Sequence, residues 1–329
     1  MWRGRSWVGG GFILALSAGC VPGTPLCGAF ADACMKAEDV ARYLGREAGD
    51  LAVVSGGPFD HAGPAVKSGR LELSVRGATA RSATPRLDGR TIEPWEFDTT
   101  TVPVNERLTR TVSVDATVRA FPGWRVGQTR AGSVDLGGGV VAIARNGVAL
   151  DTEERLGFDV GARIGLLQET SVVPAVSLSV SRIHLPALSS SAFRLTTPDG
   201  TSILARVTGI DPEVTVTRFS VAKHLGRFGL AAGTSGARYR SSASVAVRSS
   251  DGAVDDTLPV TSSGSRRSLF LNGSLALGDR VTIEAEGGRL YGGDTPGMIT
   301  RFSGQPSTEA RQYVTVGLRF ALGKLYALP

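Results

Sequence analysis

The sequence predicts an all-β fold, a transmembrane antiparallel up-and-down barrel of about ten strands with twelve as the upper count, preceded by a short N-terminal helix. Three observations predict it. Stretches of roughly ten residues alternate apolar with polar side chains, the two-residue period of a strand. The connections between these stretches alternate short with long. No run reaches the roughly 20 apolar residues of a membrane-spanning helix, whereas a membrane strand needs only about 9 to 11 residues, every second one apolar.

The chain opens with Arg3 and Arg5 before an apolar stretch, Trp7 to Gly19, too short to span and shaped like the core of a secretory signal. Residues 1–33 read as that signal, with small-residue cleavage sites at Ala29-Phe30-Ala31 and Ala31-Asp32-Ala33. Leu16-Ser17-Ala18-Gly19-Cys20 also resembles a lipoprotein box in which Cys20 would carry lipid, although Ser17 stands where a large aliphatic residue is usual. All the cysteines, Cys20, Cys27 and Cys34, lie in this region. Cleavage after Ala31 or Ala33 would leave Cys34 as an odd thiol in an oxidising compartment. Met35 to Gly49 then reads as one helix, with Val40, Tyr43 and Leu44 on a face and Gly45 and Gly49 limiting its length. Val53 to Lys67, rich in Gly, Pro and Ser, reads as a linker. Residues 34–69 would form a periplasmic or plug-like segment, residues 70–322 the barrel and residues 323–329 a tail.

The strands follow in order. Arg70 to Ala80 sets Leu71, Leu73 and Val75 against Glu72, Ser74 and Arg76. Thr109 to Phe121 is the cleanest, with Val112, Val114, Ala116 and Val118 opposing Ser113, Asp115, Thr117 and Arg119. Gly132 to Ala144 is glycine-rich. Arg155 to Leu167 sets Phe158, Val160 and Ile164 against Asp159 and Arg163, and Val172 to His184 sets Val176, Leu178 and Val180 against serines. Glu213 to Lys223 changes parity near Thr217. Arg227 to Arg240, Arg267 to Leu277 and Arg280 to Tyr291 come next, and Arg311 to Leu322 closes the set, with Val314, Val316, Leu318 and Phe320 opposing Thr315, Gly317 and Arg319.

Short connections around Pro122 to Ala131, Gln168 to Ser171, His224 to Gly226 and Gly278 to Asp279 alternate with long ones, the asymmetry of a barrel whose termini share the tight-turn end. Soluble sandwiches follow no such rule. The polar parity would bring Asp115, Arg119, Asp159, Arg163, Glu284, Glu286 and Arg319 together inside a narrow lumen. Phe121, Trp124, Tyr239, Tyr291, Tyr313 and Phe320 lie near strand ends, where interfacial aromatics belong.

The leader, the connection asymmetry and a last strand ending in the aromatic Phe320 resemble a bacterial outer-membrane β-barrel protein of a Gram-negative cell. The likeness spans about residues 70–322, and it departs from the usual pattern because Gly323 to Pro329 follow the aromatic. It implies an outer-membrane location, insertion by the barrel assembly machinery, and contact with outer-membrane lipids and lipopolysaccharide.

Chemistry is sparse. The histidines are His61, His184 and His224, and neither strand-associated one has a serine two residues away, the spacing that would place a nucleophile on the same strand face. His184 with Asp199 or Asp211 is the nearest approach to an outer-surface hydrolase. Gly137 to Gly139 lack the spaced lysine of a phosphate loop. The formal charge of +6 is scattered, with no basic stripe for nucleic acid. No cofactor and no metal site is expected. The reading is a non-enzymatic, porin-like outer-membrane barrel with either passive passage of small solutes or a structural or surface-binding role. The alternatives are a secreted or lipid-anchored soluble β protein that binds a ligand or polymer, and an outer-membrane hydrolase.

Overall fold

The computed structural model describes residues 31–59, 70–85, 91–92, 104–143, 150–152, 156–196, 202–249, 255–292 and 310–324. Most of the leader, His61, Asp199 and residues 325–329 lie outside the described residues. The helix α1 (Ala31–Ser55) comes first. Ten long strands follow: β1 (Arg70–Pro85), β2 (Val104–Phe121), β3 (Ser133–Ile143), β4 (Leu156–Leu167), β5 (Ala175–His184), β6 (Ser202–Leu225), β7 (Phe228–Ser249), β8 (Asp255–Ala276), β9 (Val281–Tyr291) and β10 (Arg311–Lys324). Each pairs antiparallel with its sequence neighbour, and β10 returns to β1 with Leu73 opposite Phe320 and Val75 opposite Leu318. Closure leaves no sheet edge.

At one end the turns are tight. Gly226 and Arg227 alone join β6 to β7, Gly226 taking the positive φ of 64° that such a turn requires, and Leu277 to Arg280 join β8 to β9. The short β2–β3 connection carries a small hairpin of Trp124–Val126 and Thr129–Ala131. At the opposite end the long β5–β6 connection adds the strand pieces Leu188–Ser190 and Phe193–Thr196, which pair onto β6.

The outward face between these ends is apolar and solvent-accessible: Val114, Val140, Phe158, Ile164, Leu271 and Val316 are each more than 40% exposed. A soluble protein would hide a belt of this kind, so a water-soluble sandwich is excluded both by closure and by the belt. The inward face carries Ser74, Arg76, Thr111, Ser113, Asp115 and Asp135, all buried. The barrel therefore has its polarity inside out, as hydrocarbon on the outside demands.

Strands β6, β7 and β8 run 24, 22 and 22 residues, about twice what a membrane strand needs. Their extra length lies at the long-loop end, and there the polarity of the two faces exchanges. In the membrane half of β6, Phe219 and Val221 face outward while Arg218 and Ser220 are buried; beyond Thr217, Val214 and Val216 are buried while Thr215 and Thr217 are exposed. The parity change expected near Thr217 is thus no slip in the strand. It marks the level at which water replaces hydrocarbon outside and an apolar core replaces the polar lumen inside.

That core is built around α1. Val40, Ala41 and Leu44 pack with Leu188, Phe193, Ile203, Val207, Val245 and Leu258 at the long-loop end. Leu51 and Val54 pack deeper, with Ala78, Val141, Val214 and Phe270. The chain then descends toward the tight-turn end, where Phe59 lies 5.3 Å from the Arg163 guanidinium. The helix therefore starts at the long-loop end and fills the lumen downward.

It is also longer than the sequence predicts, because Gly45 and Gly49 lie within it rather than ending it. A Cβ on Gly45 would fall 2.5 Å from Ser262 Oγ, and one on Gly49 would fall 2.8 Å from Tyr239 Cγ. Both glycines let the helix backbone approach the barrel wall, a packing role that outweighs the roughly 0.5–1 kcal/mol that glycine costs a helix.

Candidate functional site

The charged lumen is the place where the sequence concentrates unusual chemistry, and α1 is part of it. Glu47 and Asp50 lie one turn apart on the helix. Arg311 of β10 donates from Nη1 and Nη2 to the two Glu47 oxygens, each at 2.6 Å, and its Nη1 lies 3.1 Å from Asp50. Arg266 of β8 donates from Nε to Asp50 at 2.6 Å and from Nη2 to the second oxygen. All of these side chains are buried, so the two arginines clamp the helix to opposite sides of β9 through bonds that water cannot replace. Nearby, burial and then the Glu47 carboxylate push the Tyr43 phenol well above its ordinary value.

Below the helix the wall charges pair with one another. Arg218 of β6 reaches Glu286 of β9, three strands away, while Tyr313 Oη donates to Glu286 at 2.9 Å and Phe270 lies 3.4 Å under the Arg218 guanidinium. Arg76 holds Asp115 at 2.8 Å and donates to the Gly57 carbonyl at 2.7 Å, tying the segment after α1 to β1. Asp135 accepts from Arg119 at 2.9 Å and from Arg163 at 2.8 Å. Arg319 lies 3.2 Å from Glu284 and 3.8 Å from Glu72.

The structure thus places Asp115, Arg119, Asp159, Arg163, Glu284, Glu286 and Arg319 on the lumen side. It also supplies partners that the sequence reading did not single out: Arg76, Asp135, Arg218, Arg266, Arg311 and the two helix acids. Parity alone points to Arg76 and Asp135. Arg218 was hidden by the polarity exchange in β6, and Arg266 lies just beyond the expected start of its strand. Glu47 and Asp50 carried no signal, because nothing local says that a helix will enter the barrel.

The expected interfacial aromatics divide. Trp124 is exposed at the tight-turn end with Phe121 packed edge-on at 4.9 Å. Tyr291 and Phe320 face outward. Tyr239 and Tyr313 do not belong with them: both are buried in the lumen, 3% and 8% exposed, where one supports Gly49 and the other bonds Glu286. Tyr313 shares the parity of Thr315 and Arg319, which already assigns it inward.

Both described histidines meet acids. His184 Nε2 lies 3.3 Å from Asp211, and His224 Nδ1 lies 2.7 Å from Glu169. Among the described residues no hydroxyl hydrogen-bonds to either imidazole, and no group of metal-ligating side chains comes together. Cys34 is disulfide-bonded, so the odd thiol expected there is bridged in the full chain.

A closed barrel of ten strands with apolar walls and a charged interior defines an outer-membrane β-barrel protein. No protein-family model matches the chain, and no curated protein matches it in sequence. Solved barrels do resemble it in fold. The translocator domain of the autotransporter NalP from Neisseria meningitidis is 12% identical, with 83% of this chain and 94% of that chain covered and a TM-score of 0.39. The outer-membrane protease OmpT from Escherichia coli is 10% identical, covering 79% and 99%, with a TM-score of 0.31. The attachment invasion locus protein Ail from Yersinia pestis is 8% identical, covering 78% and 100%, with a TM-score of 0.28. The assignment rests on closure and on the polarity of the two faces, and these likenesses concern the fold alone.

Proposed function

We propose that the protein is a constitutively plugged outer-membrane barrel with a structural or surface role, not a passage for small solutes. One observation carries this reading: α1 occupies the lumen and is held there by Glu47 and Asp50 on Arg311 and Arg266. Ten strands enclose little more space than their own side chains fill, and a helix takes up what remains. Below it, the Arg218–Glu286 pair crosses the lumen at a second level.

The surface that such a protein offers is at the long-loop end. There β6, β7 and β8 rise past the membrane band around a dry core, and α1 begins. The N-terminal end of α1 would therefore be presented outside the cell together with the strand pieces Leu188–Ser190 and Phe193–Thr196. Insertion would follow the usual route, with the β10 strand and Phe320 read by the barrel assembly machinery. The role is non-enzymatic in this reading.

Planar-bilayer recording tests it. The full chain is expected to be electrically silent, and a variant lacking residues 35–59, checked for closure by heat-modifiable migration, to give discrete openings. Steady conductance from the full chain would overturn the proposal.

A further inference from the structure

Away from the lumen, one place on the barrel wall joins an apolar groove to unpaired positive charge. Where β8, β9 and β10 meet, the outward surface is indented by a shallow open groove lined by Leu269, Leu271, Gly287, Arg289, Gln312 and Val314. Gly287 creates it. It sits opposite Leu271 on one side and Val314 on the other, and a Cβ added there would meet nothing within 4 Å.

A slanted row of arginines borders this groove. Arg267 lies opposite Gly236 of β7 and Tyr291 of β9, while Arg238 lies opposite Ser265 and Arg289 opposite Leu269. Each arginine is thus displaced by two residues from its neighbour on the facing strand, a diagonal separation of about 7–8 Å. All three are exposed and point outward. Among the described residues none of them has a carboxylate partner; Arg289 lies 5.4 Å over the Tyr291 ring. The next arginine up, Arg240, lies opposite Glu213, which is already held by Arg182 at 2.6 Å.

The level matters. Arg267 shares a rung with Gly236, and Gly236 with Thr217, the residue at which the polarity of β6 exchanges. The row therefore lies at the headgroup boundary of the outer leaflet, with the groove directly on its membrane side. Three like charges left side by side at that level call for anions, and the anions available there belong to lipid.

We propose that this is a binding site for an acylated lipid of the outer leaflet carrying more than one phosphate, of the lipid A type. One acyl chain lies in the Gly287 groove, and the phosphates meet Arg289, Arg267 and Arg238. The row extends over roughly 15 Å, two diagonal steps, which is wider than a single phosphate and suits a headgroup with two. Arginine, with its planar fork of donors, is the side chain suited to that task. This inference rests on the outer-membrane reading, but its test is independent of the plug.

The test is native mass spectrometry of the full chain in detergent, titrated with bisphosphorylated lipid A, dephosphorylated lipid A and phosphatidylglycerol. Wild type is expected to retain bisphosphorylated lipid A best. Arg267→Gln with Arg289→Gln should weaken it roughly thirtyfold, at ~1 kcal/mol for each basic residue facing an anionic lipid surface. Dephosphorylated lipid A should bind wild type about as weakly. Gly287→Leu should fill the groove and weaken binding with every arginine in place. Heat-modifiable migration confirms that each variant is closed. The proposal is overturned if the arginine variant matches wild type, if phosphatidylglycerol binds as well as bisphosphorylated lipid A, or if Gly287→Leu changes nothing.

Discussion

Arg311→Leu is the most direct probe of how the helix is held. Arg311 is 4% exposed, bonds both Glu47 oxygens at 2.6 Å and lies 3.1 Å from Asp50. Asp50 would keep Arg266, but Glu47 would lose two charge-assisted bonds while staying buried beside Arg46, 4.0 Å away. Breaking a buried pair from one side costs about 3–5 kcal/mol, because the charge left behind loses its shortest partner while staying out of water. The barrel strands do not depend on that contact, so the loss should appear as local opening of α1. Amide hydrogen exchange reads it. Protection of the amides in α1 should fall by roughly two to three and a half orders of magnitude, while that of β2 and β10 stays near wild type. The companion variant Glu47→Leu with Arg311→Leu removes both charges and should recover most of the protection, since apolar replacements of a buried pair are often neutral. If the double variant is as open as the single one, the cost does not come from a buried carboxylate deprived of Arg311 and the clamp argument fails.

Two other expectations follow from the same geometry. Val316 is 54% exposed in the apolar band, so Val316→Arg should destabilise the barrel in vesicles by about 2–4 kcal/mol, whereas Thr257→Arg, above the band on β8, should cost about 0–1 kcal/mol; equal urea-unfolding shifts would contradict the placement of the membrane boundary. Cys34 is bridged, and the other cysteines, Cys20 and Cys27, both precede it. The exported chain should therefore begin at or before Cys27 and contain a bridged Cys34, and an intact mass starting at Asp32 or Cys34 would refute this.

Much of the barrel was legible because a strand writes its environment into its sequence at a period of two. Thr109 to Phe121 and Arg311 to Leu322 alternate cleanly, as each residue faces either hydrocarbon or the lumen and the two solvents select opposite side chains. The long β6, β7 and β8 were read only in their membrane halves. Beyond the membrane the same alternation continues with its sense exchanged, and a reader who assumes one solvent takes the exchange at Thr217 for a break. The Gly45 and Gly49 positions misled for a related reason: local propensity disfavours glycine in a helix, but Ser262 and Tyr239, more than 180 residues away in sequence, leave no room for anything larger.

The sequence by itself determined that ten strands form, their order and, within the membrane band, which parity faces inward, since these depend on neighbours along the chain or on the solvent at a face. The tertiary structure alone decided that α1 enters the lumen from the long-loop end, and that Glu47 and Asp50 meet Arg311 and Arg266. It also set Arg238, Arg267 and Arg289 into one row. These are meetings of residues far apart in the chain, brought together by closure and by hydrogen-bond register, and no local pattern encodes them.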